Sequence, residues 1–342
     1  MSQRVLDILS ASMDNMSTQN TTALETSAPV IAATGLRKSF GDVEAVNNLS
    51  FSVAAGQVVG LLGPNGAGKT TTVNMLATLA SIDAGSASIG GFDVATQPDL
   101  VRQLIGLAGQ SAAVDEKLTG RENLELFGRL YKLPGQERKR RAAELIDKFD
   151  MADFADRVAG TYSGGQRRRL DVVAALVAEP PALFLDEPTT GLDPRSRAEI
   201  WDAITQLASQ GTAIVLTTQY LEEADRLADE VLIIDKGVVI ASGTPEALKR
   251  NLDRDVLEIH VDEGDMASSL ELIGEIEGLV TDEAEHRIGV PVGDDIASSL
   301  EVLRRLQDGG VSITDFQLRR PTLDDVFLSL TGAPTEQEEV PA

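Results

Sequence analysis

Residues 63–70 read Gly-Pro-Asn-Gly-Ala-Gly-Lys-Thr and carry the residue types that bind phosphate groups. The stretch fits the pattern G-x-x-x-x-G-K-[ST], in which glycines present bare backbone amides to the phosphates. In that pattern Lys69 reaches the β- and γ-phosphates, and the Thr70 hydroxyl binds Mg2+. An ordinary glycine-rich turn would not need the Lys-Thr pair. The stretch therefore predicts a nucleotide-binding loop.

The segments on either side of this loop must hold it in place. Residues 58–62 are an apolar run typical of a buried strand, and residues 69–79 have the pattern of a helix. A loop between a strand and a helix places the helix N-terminus against the phosphates, where free amides and the helix dipole favour negative charge. Both flanks support the nucleotide-binding interpretation.

Two adjacent carboxylates follow a second apolar run. Residues 181–185 have the pattern of a buried strand that ends in Asp186 and Glu187. This arrangement brings acidic side chains to the carboxyl edge of a parallel sheet. We expect Asp186 to hold Mg2+ and Glu187 to polarise water. Because such strands alternate with helices, the sequence predicts a parallel α/β core.

A second helix start that suits anion binding lies at residues 163–166, Ser-Gly-Gly-Gln. Ser163 suits the N-cap position, the two glycines leave amides exposed, and the helix is predicted to run to Ala178. Three arginines follow at residues 167–169. They form either a solvated basic face or a group that binds a phosphate or a partner.

Composition excludes several classes of protein. The 342 residues include 54 acidic and 30 basic side chains, and this net charge of -24 disfavours a nucleic-acid partner. There is no cysteine and there are two histidines, so a metal would bind through oxygen. No export signal is visible, and no run of about 18 apolar residues could span a bilayer. We expect a cytoplasmic protein.

The chain divides by pattern into a disordered tail (1–29), a nucleotide-binding domain (30–250), a C-terminal domain (251–331) and an acidic tail (332–342). In the second of these, three short β-rich runs after residue 29 predict an antiparallel sheet, and Gly90-Gly91 predicts a hairpin turn. Residues from about 112 to 178 predict a helical subdomain. Phe40 could stack on an adenine, although a core position suits a phenylalanine equally well.

The C-terminal domain is separate in pattern and in charge. Its strand-like and helical stretches follow the order βαββαβ, which predicts a small α+β domain of ferredoxin-like type. Residues 251–330 hold 19 acidic and 6 basic side chains, so over half of the net charge lies here. We expect a regulatory or dimerisation role for this domain.

Taken together, residues 30–250 resemble the ATP-binding subunit of an ABC transporter, a P-loop NTPase with an antiparallel β subdomain and a helical subdomain. The resemblance implies ATP and Mg2+ as cofactors, with Glu187 as catalytic base and with Lys69 and Gln219 as catalytic partners. The implied ATP-binding residues are Phe40, Gly63, Pro64, Asn65, Gly66, Ala67, Gly68, Lys69, Thr70, Thr71, Gln110, Ser163, Gly164, Gly165, Gln166 and Asp193. The implied Mg2+ ligands are Thr70, Gln110 and Asp186.

Residues 320–328, Arg-Pro-Thr-Leu-Asp-Asp-Val-Phe-Leu, are similar to the end of daunorubicin-resistance drug-exporter ATPases. This similarity implies export of a small, hydrophobic drug-like molecule or lipid through a separate membrane permease. It also implies a second copy that completes each ATP site, and peripheral attachment to the inner face of the cell membrane. Two positions depart from the family: Tyr162 stands where many members have Leu, and Gln219 where most have His. A glutamine amide offers only a neutral hydrogen bond at that position.

Two other functions stay open at this point. A soluble ATPase of the same family that acts on ribosomes or chromosomes would usually carry two nucleotide domains or a long coiled-coil insertion, and this sequence shows neither. A regulatory subunit that binds ATP and hardly hydrolyses it is suggested by Gln219 alone. Glu187 and Lys69 argue against it.

Overall fold

The structure is a computed structural model that describes residues 28–110, 112–250, 255–274, 276, 279–282, 285–292 and 296–331. Residues 1–27 of the predicted N-terminal tail, and the predicted acidic tail 332–342, lie outside the described residues. The chain divides into two compact units, Met1–Ile240 and Ala241–Ala342. Each unit is described by itself below.

The elements are numbered here in chain order. The strands are β1 (Ile31–Phe40), β2 (Val43–Val53), β3 (Val58–Leu62), β4 (Ala84–Ile89), β5 (Phe92–Asp93), β6 (Ile105–Ala108), β7 (Ala182–Asp186), β8 (Ala213–Thr218), β9 (Glu230–Asp235), β10 (Val238–Gly243), β11 (Asp255–Val261), β12 (Val280–Asp282), β13 (Arg287–Val292) and β14 (Ile313–Arg319). The α-helices are α1 (Lys69–Leu76), α2 (Pro98–Leu104), α3 (Gly120–Leu130), α4 (Gly135–Lys148), α5 (Gly164–Ala174), α6 (Pro194–Ser209), α7 (Leu221–Leu227), α8 (Pro245–Arg250), α9 (Met266–Ile273), α10 (Ile296–Asp308) and α11 (Leu323–Thr331).

A six-stranded sheet in the order β10-β9-β3-β8-β7-β6 forms the centre of the first unit. The pairs from β9 to β6 are parallel, as the alternation of strands and helices predicts. Every residue of β3, β7 and β8 is buried, which explains why these strands are continuous apolar runs. The loop after β3, Asp186 at the end of β7 and Gln219 after β8 therefore lie at one edge of the sheet.

The predicted antiparallel sheet is present, in the order β2-β1-β4-β5. Its strands differ from the prediction, because the first short run belongs to a ten-residue strand, β1, and the other two belong to one eleven-residue strand, β2. Register shifts interrupt the pairing of β1 with β2, so the alternation along each strand is broken and the sequence pattern looks fragmented. The predicted hairpin turn at Gly90-Gly91 connects β4 to β5.

The helical subdomain contains α3, α4 and α5, which share one buried apolar cluster. Two predicted helices end early. The helix after Ser163 ends at Ala174, since the amides of Leu176 and Val177 bond to carbonyls three residues back and Glu179 has a φ of 52° just before two prolines. The helix after the loop ends at Leu76, because Thr78 takes a φ of 63° and the Leu79 amide bonds back to the Asn74 carbonyl at 2.8 Å.

The second unit has the predicted element order. β11, α9, β12, β13, α10 and β14 follow one another, and the strands form an antiparallel sheet in the order β12-β13-β11-β14. Its core is an apolar cluster around Leu257, Ile259 and Ile288. The helix α8 contacts α11 and so belongs to this unit, although the sequence places it before the predicted boundary at residue 250.

Ion pairs and hydrogen bonds of Arg319 anchor α11 to this sheet. Arg319 of β14 donates to Glu258 of β11 at 2.7 Å and to Asp325 of α11 at 2.5 and 3.0 Å. Asp325 also accepts from the amide and the hydroxyl of Thr322.

Among the described residues, no helix combines the length and the apolar character that a membrane crossing requires.

Candidate active site

The loop at residues 63–70 wraps around the ammonium group of Lys69. The Lys69 Nζ donates to the carbonyl oxygens of Gly63 at 2.5 Å and Pro64 at 3.1 Å. Gly68 has a φ of 105°, and a Cβ on this residue would collide with the Ala45 carbonyl of β2. This position requires glycine on both counts. The N-cap residue of α1 is Gly68, which has no side chain to accept hydrogen bonds from the first backbone amides of the helix. These amides are therefore free to bind an anion.

Two carboxylates face this loop from the end of β7. The Asp186 Oδ1 accepts from the Thr70 hydroxyl at 3.1 Å and from the Thr217 hydroxyl at 2.6 Å. The Glu187 Oε1 lies 3.7 Å from the Lys69 Nζ. Burial lowers the pKa of Lys69, and the charges of Glu187 and Asp186 oppose this effect. The structure thus brings together the loop and the acidic pair that the sequence predicts.

A small group of oxygen and amide groups surrounds Thr70. The Gln110 amide nitrogen donates to the Thr70 Oγ1 at 3.3 Å, and the same hydroxyl donates to Asp186. Among the described residues, no cluster of three His, Asp or Glu side chains could hold a metal ion. Thr70, Asp186 and Gln110 supply hard oxygen atoms, and Mg2+ commonly uses one or two such protein ligands together with phosphate oxygens. These residues therefore fit Mg2+ bound with a nucleotide.

Glu187 has an unusual backbone. Its φ of 50° lies in the left-handed region, which a glutamate rarely adopts. The Glu187 amide donates to both the carbonyl oxygen and the hydroxyl of Thr217, at 3.1 and 3.0 Å. Thr217 therefore fixes Asp186 through its hydroxyl, and Glu187 through its hydroxyl and its carbonyl oxygen. No sequence motif indicates this role, since Thr217 lies in a mainly apolar strand.

Arg168 fits neither of the two roles that the sequence suggests for the three arginines. Its guanidinium is neither solvated nor free for a ligand, because the residue is 8% exposed. It donates to backbone carbonyl oxygens of Gly109 at 2.5 Å, Asp186 at 3.0 Å, Glu187 at 3.1 Å and Pro188 at 2.8 Å. These residues lie beside Gln110 and along the turn that carries the carboxylates. Arg168 therefore fixes the backbone beside Gln110 and the backbone of the turn that carries Asp186 and Glu187.

The neighbouring arginines form ion pairs. Arg167 pairs with Glu116 at 2.7 Å, and Arg169 pairs with Glu199 of α6. Arg168 also lies 3.3 Å from Asp171, which accepts from the Ala113 amide at 2.7 Å. Burial raises the pKa of Asp171. The segment after Gln110 is thus hydrogen-bonded to α5 and is not an unattached connection.

The second predicted helix start is built as expected. Ser163 caps α5: its hydroxyl accepts from the Gln166 amide, and the Gln166 side chain accepts from the Ser163 amide, both at 3.2 Å. A Cβ on Gly165 would collide with the Ser196 hydroxyl at the start of α6. Ser196 in turn donates to Asp193 at 2.6 Å. The structure therefore places Asp193 next to the glycines of this helix start.

Tyr162, one of the two departures from the family pattern, is a core residue of the helical subdomain. It is 6% exposed, and its hydroxyl donates to the Phe154 carbonyl at 2.7 Å. The two rings meet edge to face with centroids 5.1 Å apart. A Cβ on Gly120 would collide with the Tyr162 hydroxyl. The tyrosine thus occupies space that a glycine leaves open.

Phe40 and Gln219 have contrasting surroundings. Phe40 ends β1 and is 55% exposed, so the alternative that it is a core residue is wrong. The hairpin that carries Phe40 lies beside the loop, because Ala45 contacts Gly68. Gln219 follows directly after β8 and is buried. A cleft of about 330 Å³ connects Glu187 with Gln110 and Gly164 in the same unit.

Comparison with known proteins agrees with this arrangement. A family model described as "ABC transporter" matches residues 46–190, and one described as "ATP-binding protein DrrA1-3-like, C-terminal domain" matches residues 243–331. The chain is 50% identical over 315 residues to the daunorubicin resistance ATP-binding protein DrrA2 of Streptomyces coeruleorubidus, covering 90% of this chain and 97% of that protein. It is 45% identical over 314 residues to the doxorubicin resistance ATP-binding protein DrrA of Mycobacterium tuberculosis, covering 90% of this chain and 95% of that protein.

A solved structure shares the fold of the first unit. It is a dimeric ATP-binding cassette in a post-hydrolysis state, bound to ADP and Pi, with a TM-score of 0.57 and 25% identity over 63% of this chain and 98% of that one. The chain therefore belongs to the ABC transporter family of ATP-binding proteins and is an ATPase with a P-loop NTPase fold. Within that family its relatives include daunorubicin- and doxorubicin-resistance ATP-binding proteins at 45–50% identity.

Proposed function

We propose that this ATPase powers the export of a small, hydrophobic drug-like molecule or lipid through a separate membrane permease. The observation that carries the ATPase chemistry is the approach of the two β7 carboxylates to the loop, with Asp186 3.1 Å from Thr70 and Glu187 3.7 Å from Lys69. The resistance proteins at 45–50% identity support the class of substrate.

The proposal assigns a hydrolytic role to each of these residues. Glu187 acts as the base that takes the proton of the attacking water. Lys69 turns from the loop carbonyls to the β- and γ-phosphates, and the free amides of α1 hold the same phosphates. Thr70, Asp186 and Gln110 would hold Mg2+, which would supply positive charge against the negative charge that develops on the phosphates. Phe40, half exposed on its hairpin, stacks on the adenine.

A second copy of the chain completes the site. Gly164 is exposed, and no side chain or distant backbone among the described residues lies within 4 Å of the position of a Cβ on it, so this helix end can receive the phosphates of ATP bound to the partner copy. Asp193 lies beside it through Ser196. The dimeric cassette bound to ADP and Pi supports this assembly.

Replacing Glu187 with Gln tests the chemistry. We expect ATP binding to stay and turnover to fall by roughly 10²- to 10⁴-fold, because the amide has the shape of the carboxylate but cannot accept the proton. ATP should also convert this variant to a dimer in size-exclusion chromatography with light scattering. Glu144→Gln, on the exposed face of α4, is the matched control. Normal turnover in Glu187→Gln would remove the base from this mechanism.

The permease should dock near α3, in keeping with peripheral attachment to the inner face of the membrane. Leu126 is half-buried and Leu130, one turn later, is 66% exposed, whereas Phe127 packs on the core. Leu126→Asp is therefore a cleaner test than Phe127→Asp. It should reduce binding to membrane vesicles from the source cells more than it reduces ATP binding. Val238→Asp on β10 is an exposed apolar control. Equal vesicle binding by both variants would place the docking surface elsewhere.

A further inference from the structure

Glu223 of α7 is a buried carboxyl with no part in the mechanism above. It has no exposed surface. Its Oε1 accepts hydrogen bonds from the Thr189 hydroxyl at 2.8 Å and from the Trp201 indole at 3.0 Å. Its Oε2 is buried without a hydrogen-bond partner in the described part of the chain. Because such an atom is costly to bury, its presence indicates a role beyond filling space.

The contacts of Glu223 join the two segments that carry the proposed hydrolytic residues. Thr189 is fully buried and lies two residues after Glu187, on the segment that leaves β7. The helix of Glu223 begins two residues after Gln219, on the segment that leaves β8. One side chain therefore links both loops at the carboxyl edge of the sheet.

A second set of contacts holds the same segments. The Arg197 guanidinium of α6 lies 4.8 Å from the centre of the Tyr220 ring. The Tyr220 amide donates to the Thr218 hydroxyl at 2.9 Å. Gln219 lies between these two residues, so its backbone is fixed on both sides. The helix α6 thus contacts the region of Gln219 through Arg197 and, through Trp201, the carboxyl of Glu223.

The protonation of Glu223 guides the choice of variants. Burial raises the pKa of its carboxyl, against the neighbouring donors Thr218, Thr189 and Trp201 and the charge of Arg197. A glutamine amide has nearly the shape of the protonated carboxyl and keeps an accepting oxygen at Oε1. Glu223→Gln therefore preserves the contacts, whereas Glu223→Ala removes them.

We propose that Glu223 is a positioning residue for ATP hydrolysis, which holds the segments of Glu187 and Gln219 in one arrangement by accepting from Thr189 and Trp201. This inference rests on the proposed roles of Glu187 and Gln219. ATP affinity comes mainly from the loop at residues 63–70, on a different strand. Loss of the Glu223 contacts should therefore lower turnover and leave ATP binding nearly unchanged.

Steady-state kinetics on the full-length chain test the proposal. Glu223→Ala should lower kcat by about 10- to 100-fold, because a small displacement of the base suffices for such a loss, with KM for ATP changed by less than about twofold. Glu223→Gln should keep kcat within about threefold of the wild type. Glu222→Ala, an exposed neighbour on the same helix, should behave as the wild type.

Fluorescence gives a readout that does not depend on activity. Trp201 is the one tryptophan of the chain, and its indole donates directly to Glu223. Addition of ATP with Mg2+ should change its emission in the wild type and in Glu223→Gln. The change should vanish in Glu223→Ala, although this variant still retains labelled ATP in a filter-binding assay. A missing change in the wild type, or a change that persists in Glu223→Ala, would overturn the proposal.

A further variant covers the case in which Glu223→Ala does not fold. Thr189→Val removes one donor at nearly the same shape and should lower kcat by about fivefold with KM unchanged. The proposal is wrong if Thr189→Val and any folded Glu223→Ala keep wild-type kcat, if kcat and ATP affinity fall together, or if Glu223→Gln loses as much as Glu223→Ala. The proposed function fails separately, through normal turnover in Glu187→Gln.

Discussion

Replacing Arg168 with Lys should weaken the backbone that carries the site. The guanidinium spans four carbonyl oxygens, those of Gly109, Asp186, Glu187 and Pro188, at 2.5 to 3.1 Å. A lysine ammonium is a compact group that cannot reach across this spread, although it keeps the charge. We expect it to leave one or two of these carbonyls without a donor. At about 1–3 kcal/mol for each, the free energy of unfolding should fall by about 1–6 kcal/mol.

Urea unfolding followed by tryptophan fluorescence measures this loss in the relevant unit, because Trp201 lies in α6. Turnover should fall as well, by roughly 10- to 100-fold, since Glu187 and Gln110 lose their common support. Arg102→Lys is the control: this arginine is half exposed in a surface pair with Asp99 and should change stability by less than about 1 kcal/mol. If Arg168→Lys unfolds within about 0.5 kcal/mol of the wild type and turns over normally, the assigned support role is wrong.

Three further predictions concern other sites. Gln219→Ala should slow hydrolysis with little effect on ATP binding, whereas Gln219→His should support at least equal turnover; an alanine variant as fast as the wild type would make Gln219 a bystander. Lys69→Ala should lose most ATP affinity in a binding titration, and unchanged affinity would contradict the loop assignment. Hydrogen bonds from Arg319 and Gln317 outweigh the burial that raises the pKa of Glu258, and bring it from 4.5 to about 2. The stabilisation from this lowered pKa, about 3 kcal/mol, is present above the unfolded pKa and is lost as the pH falls from about 4.5 to about 2. In thermal unfolding near neutral pH, Glu258→Gln should therefore be less stable than the wild type, and its stability should change less between these two pH values. The exposed control Glu301→Gln should behave as the wild type. Parallel plots of stability against pH for Glu258→Gln and the wild type would contradict this.

The sequence predicts the parts of the site that depend on local chemistry. The loop at residues 63–70 and the acidic pair after β7 are recognisable because residue type, spacing and flanking pattern all lie within a short stretch. The cap of α5 is recognisable for the same reason, since Ser163 and Gln166 satisfy each other within one turn.

The sequence could not predict the contacts that join distant segments. Arg168 looks like one of three equivalent surface arginines, and only the fold shows that the carbonyls of residues 109 and 186–188 surround it. The link from Glu223 to Thr189 spans 34 positions of the chain. The left-handed backbone of Glu187 likewise depends on Thr217 of a neighbouring strand. Each of these residues acts through partners that are distant in the sequence, so no short sequence motif predicts the contact.

The pairing of Tyr162 with Gly120 limits how freely motifs can be exchanged between relatives. A segment 162–166 transplanted from a relative with leucine at residue 162 would bring a shorter side chain, which leaves a void beside Gly120 and removes the hydroxyl that donates to the Phe154 carbonyl. The reverse transplant would push a hydroxyl into whatever side chain replaces the glycine. The motif and its scaffold therefore form a matched set, and a chimaera should exchange residues 120 and 162 together.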